Sequence, residues 1–419
     1  MNFVYNVLLY LAAPFAILVQ LWRSLRDPSY RDRIGERLGF GAAVAGPTIW
    51  IHAVSVGEVQ AAQPLVAQFR KRHPRYKVLL TTVTPTGAAR ARLLFGDDVE
   101  LRYVPLDLPG AVKRFFDRVQ PRLAMILETE LWPNLYAECG RRGIPLVLAS
   151  ARVSPRSVGK YRRLVSLFRK TLSHGIVIAA QSETDAERFK SIGATPERTH
   201  VTGNIKFDFQ PPPGIEAQGL RWREQNAPGR PIWVAGSTHE GEEAIVLDAH
   251  RIVLRRFPDA LLVLVPRHPQ RFDSVRDLLA KRNGSSANRS SRKAISPGTS
   301  VLLGDTMGEL MMFYAASDVS FVAGSLVPIG GHNLLEPASV GRPVLTGPHN
   351  FNSEEIAQLL TDAGAAIIVS DTEQLARAIS ELLDSAERRT VMGAAGKAVL
   401  DANRGALDRL LTLVDPLLE

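Results

Sequence analysis

Apolar residues in this chain come in short runs, and most runs end in a turn rich in glycine, threonine or serine before a helical pattern begins. In the first half such runs lie at Thr48–Val54, Lys77–Thr82, Leu123–Leu127, Pro145–Ala149 and Gly175–Ala180. In the second half they lie at Pro231–Ala235, Leu261–Val265, Val301–Leu303, Val319–Val322, Pro343–Leu345 and Ala365–Val369. These read as buried strands. Helical patterns follow several of them, at Ser55–Leu65, after the threonine turn at Thr84, and in an N-capped QSETDAERFKSIGA. Further on come Gly308–Ala316, with Asp305 and Thr306 as candidate caps, and a start at His332–Glu336. Strand, loop and helix in alternation predict an α/β fold with parallel sheets and ligand loops at the strand ends. The tail Thr372–Glu419 reads as helices that pack on the C-terminal part and cross back to the first.

Three stretches depart from this rhythm. Phe3–Trp22 carries no charge and is long enough, at about 20 residues, to cross a bilayer. Arg23, Arg26, Arg31, Arg33 and Arg37 follow it, which by the positive-inside rule places the remainder in the cytoplasm. Residues 1–22 are thus read as a membrane anchor. Asn6 and Pro14 weaken the segment and keep a membrane-surface helix open. The prolines at 211–213 and the polar stretch to Gly229 mark a domain boundary, giving 23–210 and 211–419. Asn283–Ser300, rich in serine and arginine, reads as a flexible excursion without a function.

Composition narrows the chemistry. The chain has 419 residues, enough for about two to three domains. Lys+Arg 51 against Asp+Glu 42 gives +9, which suits an anionic substrate or an anionic membrane. No basic tract interleaved with aromatics appears, so nucleic acid is not expected. The single Cys139 excludes an internal disulfide and a cysteine-based zinc site. His239 and Glu240 lack the second histidine of HExxH, so no metal is expected.

Several residues sit where such a fold does chemistry. Glu58 opens the helix after Ser55-Val56-Gly57. There it is a candidate general base or a carboxylate that complements the helix dipole. Glu128 and Glu130 lie one residue apart at a strand end, so only one faces the ligand side if the strand continues. Lys71, Arg72, Arg75, Arg90 and Arg92 form a candidate basic surface for a phosphorylated lipid. In the second half Gly236-Ser237-Thr238 reads as a phosphate-side loop at a helix start. Arg267 and His268 stand at a strand end, suited to a phosphate or a base. Gly330 and Gly331 precede a helix start whose Glu336 can accept from the hydroxyls of a ribose. Neither GxGxxG nor GxxxxGK[ST] is present.

The motifs SVGE, TPTG, ETELWPN, GNIKFD, GSTHEGEE, PRH, GDTMGEL, AGSLVPIGGHNLLEPA and GPHNFN, in this order, resemble the 3-deoxy-D-manno-octulosonic acid (Kdo) transferases of lipopolysaccharide synthesis. The resemblance covers nearly the whole chain outside the serine-rich stretch. It implies a GT-B fold of two Rossmann-like domains facing a cleft, after an N-terminal membrane-anchor helix. It also implies transfer of Kdo from CMP-Kdo to lipid IVA at the inner membrane, with inversion and without a metal or other cofactor. Glu58 is then the base, and Glu128 and Lys206 stabilise the transition state. Arg267, His268, Met307, Gly308, Glu309, Asn333, Leu334, Leu335 and Glu336 hold CMP. Two rival readings are a GT-B transferase that uses a UDP-sugar on a lipid A precursor, and a non-catalytic, membrane-tethered binder of lipid A phosphates.

Overall fold

A computed structural model describes residues 2–25, 27–128, 130–153, 158, 175–282, 284–292 and 294–418. The stretch ARVSPRSVGKYRRL, 151–164, which reads as a basic connector between two strands, falls outside them from 154 onward, Val158 excepted. The chain divides into two compact units, Met1–Phe209 with Asn403–Glu419, and Gln210–Ala402.

The first unit holds a parallel sheet of seven strands: β1 (Thr48–His52), β2 (Lys77–Thr82), β3 (Glu100–Tyr103), β4 (Pro121–Leu127), β5 (Leu146–Ala151), β6 (Val177–Ala180) and β7 (Thr199–Val201). Their order is β3-β2-β1-β4-β5-β6-β7. The strands are apolar on both faces because helices cover both. Ile49, Ile51, Leu123 and Met125 point to the face under helices Val56–Arg72 and Ala406–Val414. Trp50, Leu79, Ala124 and Ile126 point to the other, under Pro109–Val119 and Pro133–Arg142. Pro109–Val119 shows how local sequence builds this cover. Proline takes the first turn, where its missing N–H costs nothing, and Ala111, Val112, Phe115, Phe116 and Val119 recur at helical spacing on the buried side. Each large side chain so buried contributes about 2 kcal/mol.

The second unit repeats the plan with β8 (Ile232–Thr238), β9 (Leu261–Pro266), β10 (Ser286–Asn288), β11 (Val301–Leu303), β12 (Val319–Val322), β13 (Val344–Thr346) and β14 (Ala366–Ile368), in the order β10-β11-β9-β8-β12-β13-β14, all parallel. In each sheet the winding reverses once, between β1 and β4 and between β8 and β12. Loops diverge at the carboxyl ends of those strands, which is where open α/β sheets bind ligands.

The structure corrects three expectations. Gly236-Ser237-Thr238 does not start a helix: it completes β8, where Gly236 pairs with both neighbouring strands and Ser237, at φ +62, forms a bulge. The helix waits until Glu242, after Gly241 at φ +95. Asp305 and Thr306 do not cap the helix Leu310–Ala316, whose first flanking residue is Glu309. The serine-rich stretch is no free excursion, since Ser286–Asn288 pairs with β11 as an edge strand. Of the candidate basic surface for a phosphorylated lipid, Arg72 and Arg75 are already partnered. They lie at the far end of Val56–Arg72, where Arg72 pairs with Asp415 at 2.9 Å and Arg75 donates to the Leu418 carbonyl.

Candidate active site

In the first unit the candidate residues gather at the carboxyl ends of β1 and β4. Ser55 caps Val56–Arg72, its Oγ accepting from the Glu58 N–H at 3.3 Å and donating to Glu58 Oε1 at 2.9 Å. Glu58 Oε2 accepts from the Val54 N–H at 2.8 Å. Its carboxyl is therefore fixed by the turn that carries it. Burial, and then the charge of Glu128, push it up to about 7, against the opposing pull of Val54, Ser55 and Lys206. A buried carboxylate that titrates near neutrality can take a proton without being permanently protonated.

Glu128 follows β4 with φ +57, a left-handed backbone that a non-glycine residue adopts at a cost. That turn aims its side chain at Lys206, whose Nζ donates to Oε1 at 2.6 Å, while Arg152 Nε stands 3.7 Å from Oε2. Of the two carboxylates left open by the sequence, Glu128 is thus the one that meets Lys206. Glu130 is raised by burial, and its carbonyl accepts from the Tyr136 hydroxyl. Lys206 is held by a buried amide network. Ser150 Oγ accepts from the Ile205 N–H at 3.2 Å, Gln181 Nε2 donates to the Ser150 carbonyl at 2.9 Å, and Asn204 Oδ1 accepts from the Lys206 N–H at 3.0 Å. No motif singles out Arg152, Ser150 or Gln181, which only the order β4-β5-β6-β7 brings to Glu128 and Lys206.

In the second unit the loops after β8, β9, β11 and β12 carry the site. The Arg267 N–H donates to the Thr238 carbonyl at 3.0 Å, tying the β9 loop to the end of β8. Three imidazoles assemble beside it. His239 Nε2 and His332 Nε2 share a hydrogen bond at 2.9 Å, and His268 meets His239 edge-on at 5.4 Å. Burial, and then neighbouring His268, Arg267 and Arg271, push His239 down to about 4. Burial, then Arg267 and the other two rings, push His332 to about 3, and burial with Arg267 and Arg271 also lowers His268. The rings are uncharged at neutral pH and offer hydrogen bonds, leaving Arg267 and Arg271 to supply charge. Gly324 makes room for them, since a Cβ there would sit 2.8 Å from the His332 ring.

One side chain organises these loops. Glu242 is fully buried and accepts four backbone N–H groups: His239 at 3.0 Å and Gly324 at 2.8 Å on Oε2, and Ser325 and Leu326, each at 3.0 Å, on Oε1. It bolts the β12 loop to the β8 loop across the point where the sheet reverses.

The other expected residues spread along the same edge. Leu334 and Leu335 are wholly buried, backbone included. Asn333 Oδ1 accepts from the Leu335 N–H at 3.2 Å, and its Nδ2 reaches Glu336 Oε1 at 3.4 Å. Met307 is exposed and Gly308 turns at φ +84. Glu309 is held by a fork from Arg289, with Nη2 at 2.7 Å and Nε at 3.0 Å, and by the Thr306 hydroxyl. Next to it Asp305 accepts from the Ser290 N–H at 2.7 Å and hydroxyl at 2.6 Å. The serine-rich stretch therefore braces the loop Asp305–Glu309. Among the described residues no cluster has the make-up of a metal site.

The family described as 3-Deoxy-D-manno-octulosonic-acid transferase (kdotransferase) matches residues 32–209, and Glycosyl transferases group 1 matches 232–399. A 3-deoxy-D-manno-octulosonic acid transferase of Haemophilus influenzae is 44% identical over 100% of this chain and 99% of its own. One from Bordetella pertussis is 37% identical over 98% of each. The crystal structure of Acinetobacter baumannii MurG, at 14% identity, covers 88% of this chain and 99% of its own with a TM-score of 0.54, a likeness of fold alone. Two seven-stranded parallel sheets of this kind make the GT-B fold. The chain belongs to the 3-deoxy-D-manno-octulosonic acid transferases and is a glycosyltransferase.

Proposed function

We propose that this Kdo transferase takes Kdo from CMP-Kdo and places it on a hydroxyl of lipid IVA, a lipid A precursor, releasing CMP. The observation that carries the mechanism is the Glu58 carboxylate at the end of β1, raised to about 7 beside the Glu128–Lys206 pair. Glu58 takes the acceptor proton as the acceptor oxygen bonds to the anomeric carbon. The bond from that carbon to the phosphate oxygen breaks on the opposite side, and the electron pair leaves with CMP. Attack opposite the leaving group inverts the anomeric centre. Lys206, steered by Glu128, offsets negative charge as the nucleotide departs. In the second unit Arg267 meets the phosphate, His268 the phosphate or base, and Glu336 the ribose. Gly308, Glu309 and the segment Asn333–Leu335 complete the cradle. The reaction needs no metal in this scheme, because cationic side chains balance the leaving phosphate.

The chain works at the cytoplasmic face of the inner membrane, through its apolar N-terminal helix and the arginines that follow. That helix, Asn2–Ser24, is long and apolar enough to cross a membrane. Titration calorimetry with CMP and UDP tests the donor: the proposal requires CMP to bind at least tenfold more tightly and Arg267→Ala to weaken it. Preference for UDP would move the reading to a UDP-sugar transferase.

A further inference from the structure

The helix Asn2–Ser24 does not stand free of the first unit. Near its start the Tyr5 hydroxyl donates to Asp107 Oδ2 at 2.8 Å, and Asn134 Nδ2 donates to Asn6 Oδ1 at 2.7 Å. Asp107 is buried, and it also accepts the Asn134 and Leu135 N–H groups in the first turn of Pro133–Arg142. One turn further on, the Tyr10 hydroxyl lies 3.8 Å from where a Cβ on Gly110 would sit. Half-buried positions then recur at Leu9, Ala13, Ile17 and Gln20, every three or four residues, with exposed side chains between them. That is the pattern of a helix lying lengthwise on a surface along one stripe.

A bilayer-spanning helix cannot make these contacts. With Arg23 on the side of the body, Tyr5 would stand about 27 Å away along the helix axis, in the opposite leaflet. Asp107 belongs to the body and cannot follow it there. We infer that the helix lies in the plane of an anionic bilayer, latched to the body by Tyr5–Asp107 and Asn6–Asn134, so that the enzyme enters one leaflet only. This rests on the membrane part of the function proposed above and on neither the donor nor the acceptor.

A bilayer is the occupant that fits the uncovered surface. Phe3, Leu8, Leu11, Phe15, Leu18 and Trp22 are exposed, and from Leu8 on they recur every three or four residues on the face opposite the latched stripe, a face that acyl chains can cover. The charge beside it is complementary to lipid phosphates. Arg114 Nη1 lies 3.3 Å from the same Cβ position on Gly110. Arg114 and Arg118 stack on the exposed Phe40 and donate to the Leu38 and Gly39 carbonyls, and neither forms an ion pair among the described residues. An aromatic ring and two arginines beside an apolar helix suit the headgroup level. Asn134 also lies six residues beyond Glu128, so the latch ties the membrane-facing helix to the segment that carries a candidate catalytic carboxylate.

The test uses full-length protein in membranes, with the buried Cys139 replaced as Cys139→Ser and a single thiol introduced as Asn2→Cys, at the polar end that precedes the apolar run. A membrane-impermeant maleimide is applied to inverted inner-membrane vesicles and to spheroplasts. Labelling in inverted vesicles, with protection in spheroplasts, is expected. Labelling only in spheroplasts overturns the inference and leaves the anchor intact. Release of the protein by a salt wash overturns both the inference and the membrane reading. Independently, Asn6→Cys with Asn134→Cys must be bridged by a short bismaleimide in the same vesicles. Failure to bridge overturns the latch whichever face labels.

Discussion

Replacing Glu58 with glutamine should cut transfer by orders of magnitude and, at alkaline pH, stabilise the protein. The carboxyl moves from an ordinary 4.5 to about 7 on folding, chiefly through burial and then through the charge of Glu128. The folded state therefore binds this proton more tightly than the unfolded state. Stability contributed by the group is fully present below about 4.5 and is lost as pH rises to about 7. The difference between the two values corresponds to about 3 kcal/mol that the folded chain forfeits at pH 8 and largely keeps at pH 5. Glutamine carries no charge to desolvate. Its amide oxygen can take the Val54 N–H and its nitrogen can donate to Ser55 Oγ, so the capping geometry survives. Denaturant unfolding of wild type and Glu58→Gln at pH 5 and pH 8 reads the effect. The gain of the variant over wild type should be larger at pH 8 by about 2 to 3 kcal/mol, while transfer falls by roughly 10²–10⁴-fold. A variant whose stability follows wild type at both pH values would refute a buried, raised carboxylate, whatever happened to activity.

Other consequences follow from the same geometry. Wild-type kcat/KM should rise about tenfold per unit on the acid side and level off above about 7. Lys206→Met removes a charge that lowers the Glu58 pKa, so it should move that limb to higher pH and cut kcat by roughly 10²-fold; an unmoved limb counts against their coupling. Glu242→Gln leaves two buried N–H groups facing an amide nitrogen, at about 1–3 kcal/mol each, and should weaken CMP binding by calorimetry more than tenfold. Arg289→Ala frees Glu309 and should raise the KM for the donor several-fold with kcat little changed; an unaltered KM would mean that the brace is not needed.

The central strands were readable because they are buried on both faces. Lys77–Thr82, Val301–Leu303 and Val319–Val322 carry enough apolar, β-rich residues to announce themselves, and their bounds agree with the sheet. The strands that went unread, β3 (Glu100–Tyr103), β7 (Thr199–Val201) and β10 (Ser286–Asn288), all lie at sheet edges. An edge strand has one neighbour and meets solvent, so sequences such as ELRY or SAN suffice and look like loop. The site divides in the same way. Glu58, Arg267 and Glu336 could be singled out because each follows a strand-to-turn pattern that recurs at ligand sites. The His239–His332 pair could not, since 93 positions separate the two rings and only the adjacency of β8 and β12 joins them. Glu242 was hidden for a related reason. Its partners are backbone N–H groups of a distant loop, which leave no mark on side-chain chemistry.

The most direct measurement is the mass of the acceptor after reaction. Detergent-purified wild type and Glu58→Gln are given lipid IVA with CMP-Kdo generated in place, and the lipid is followed by mass spectrometry. A gain of one or more Kdo units is expected with wild type and at most a trace with the variant, although the variant still binds CMP. An equal gain with both proteins would remove Glu58 as the base. Unchanged lipid IVA with a wild type that binds CMP would contradict the proposed acceptor.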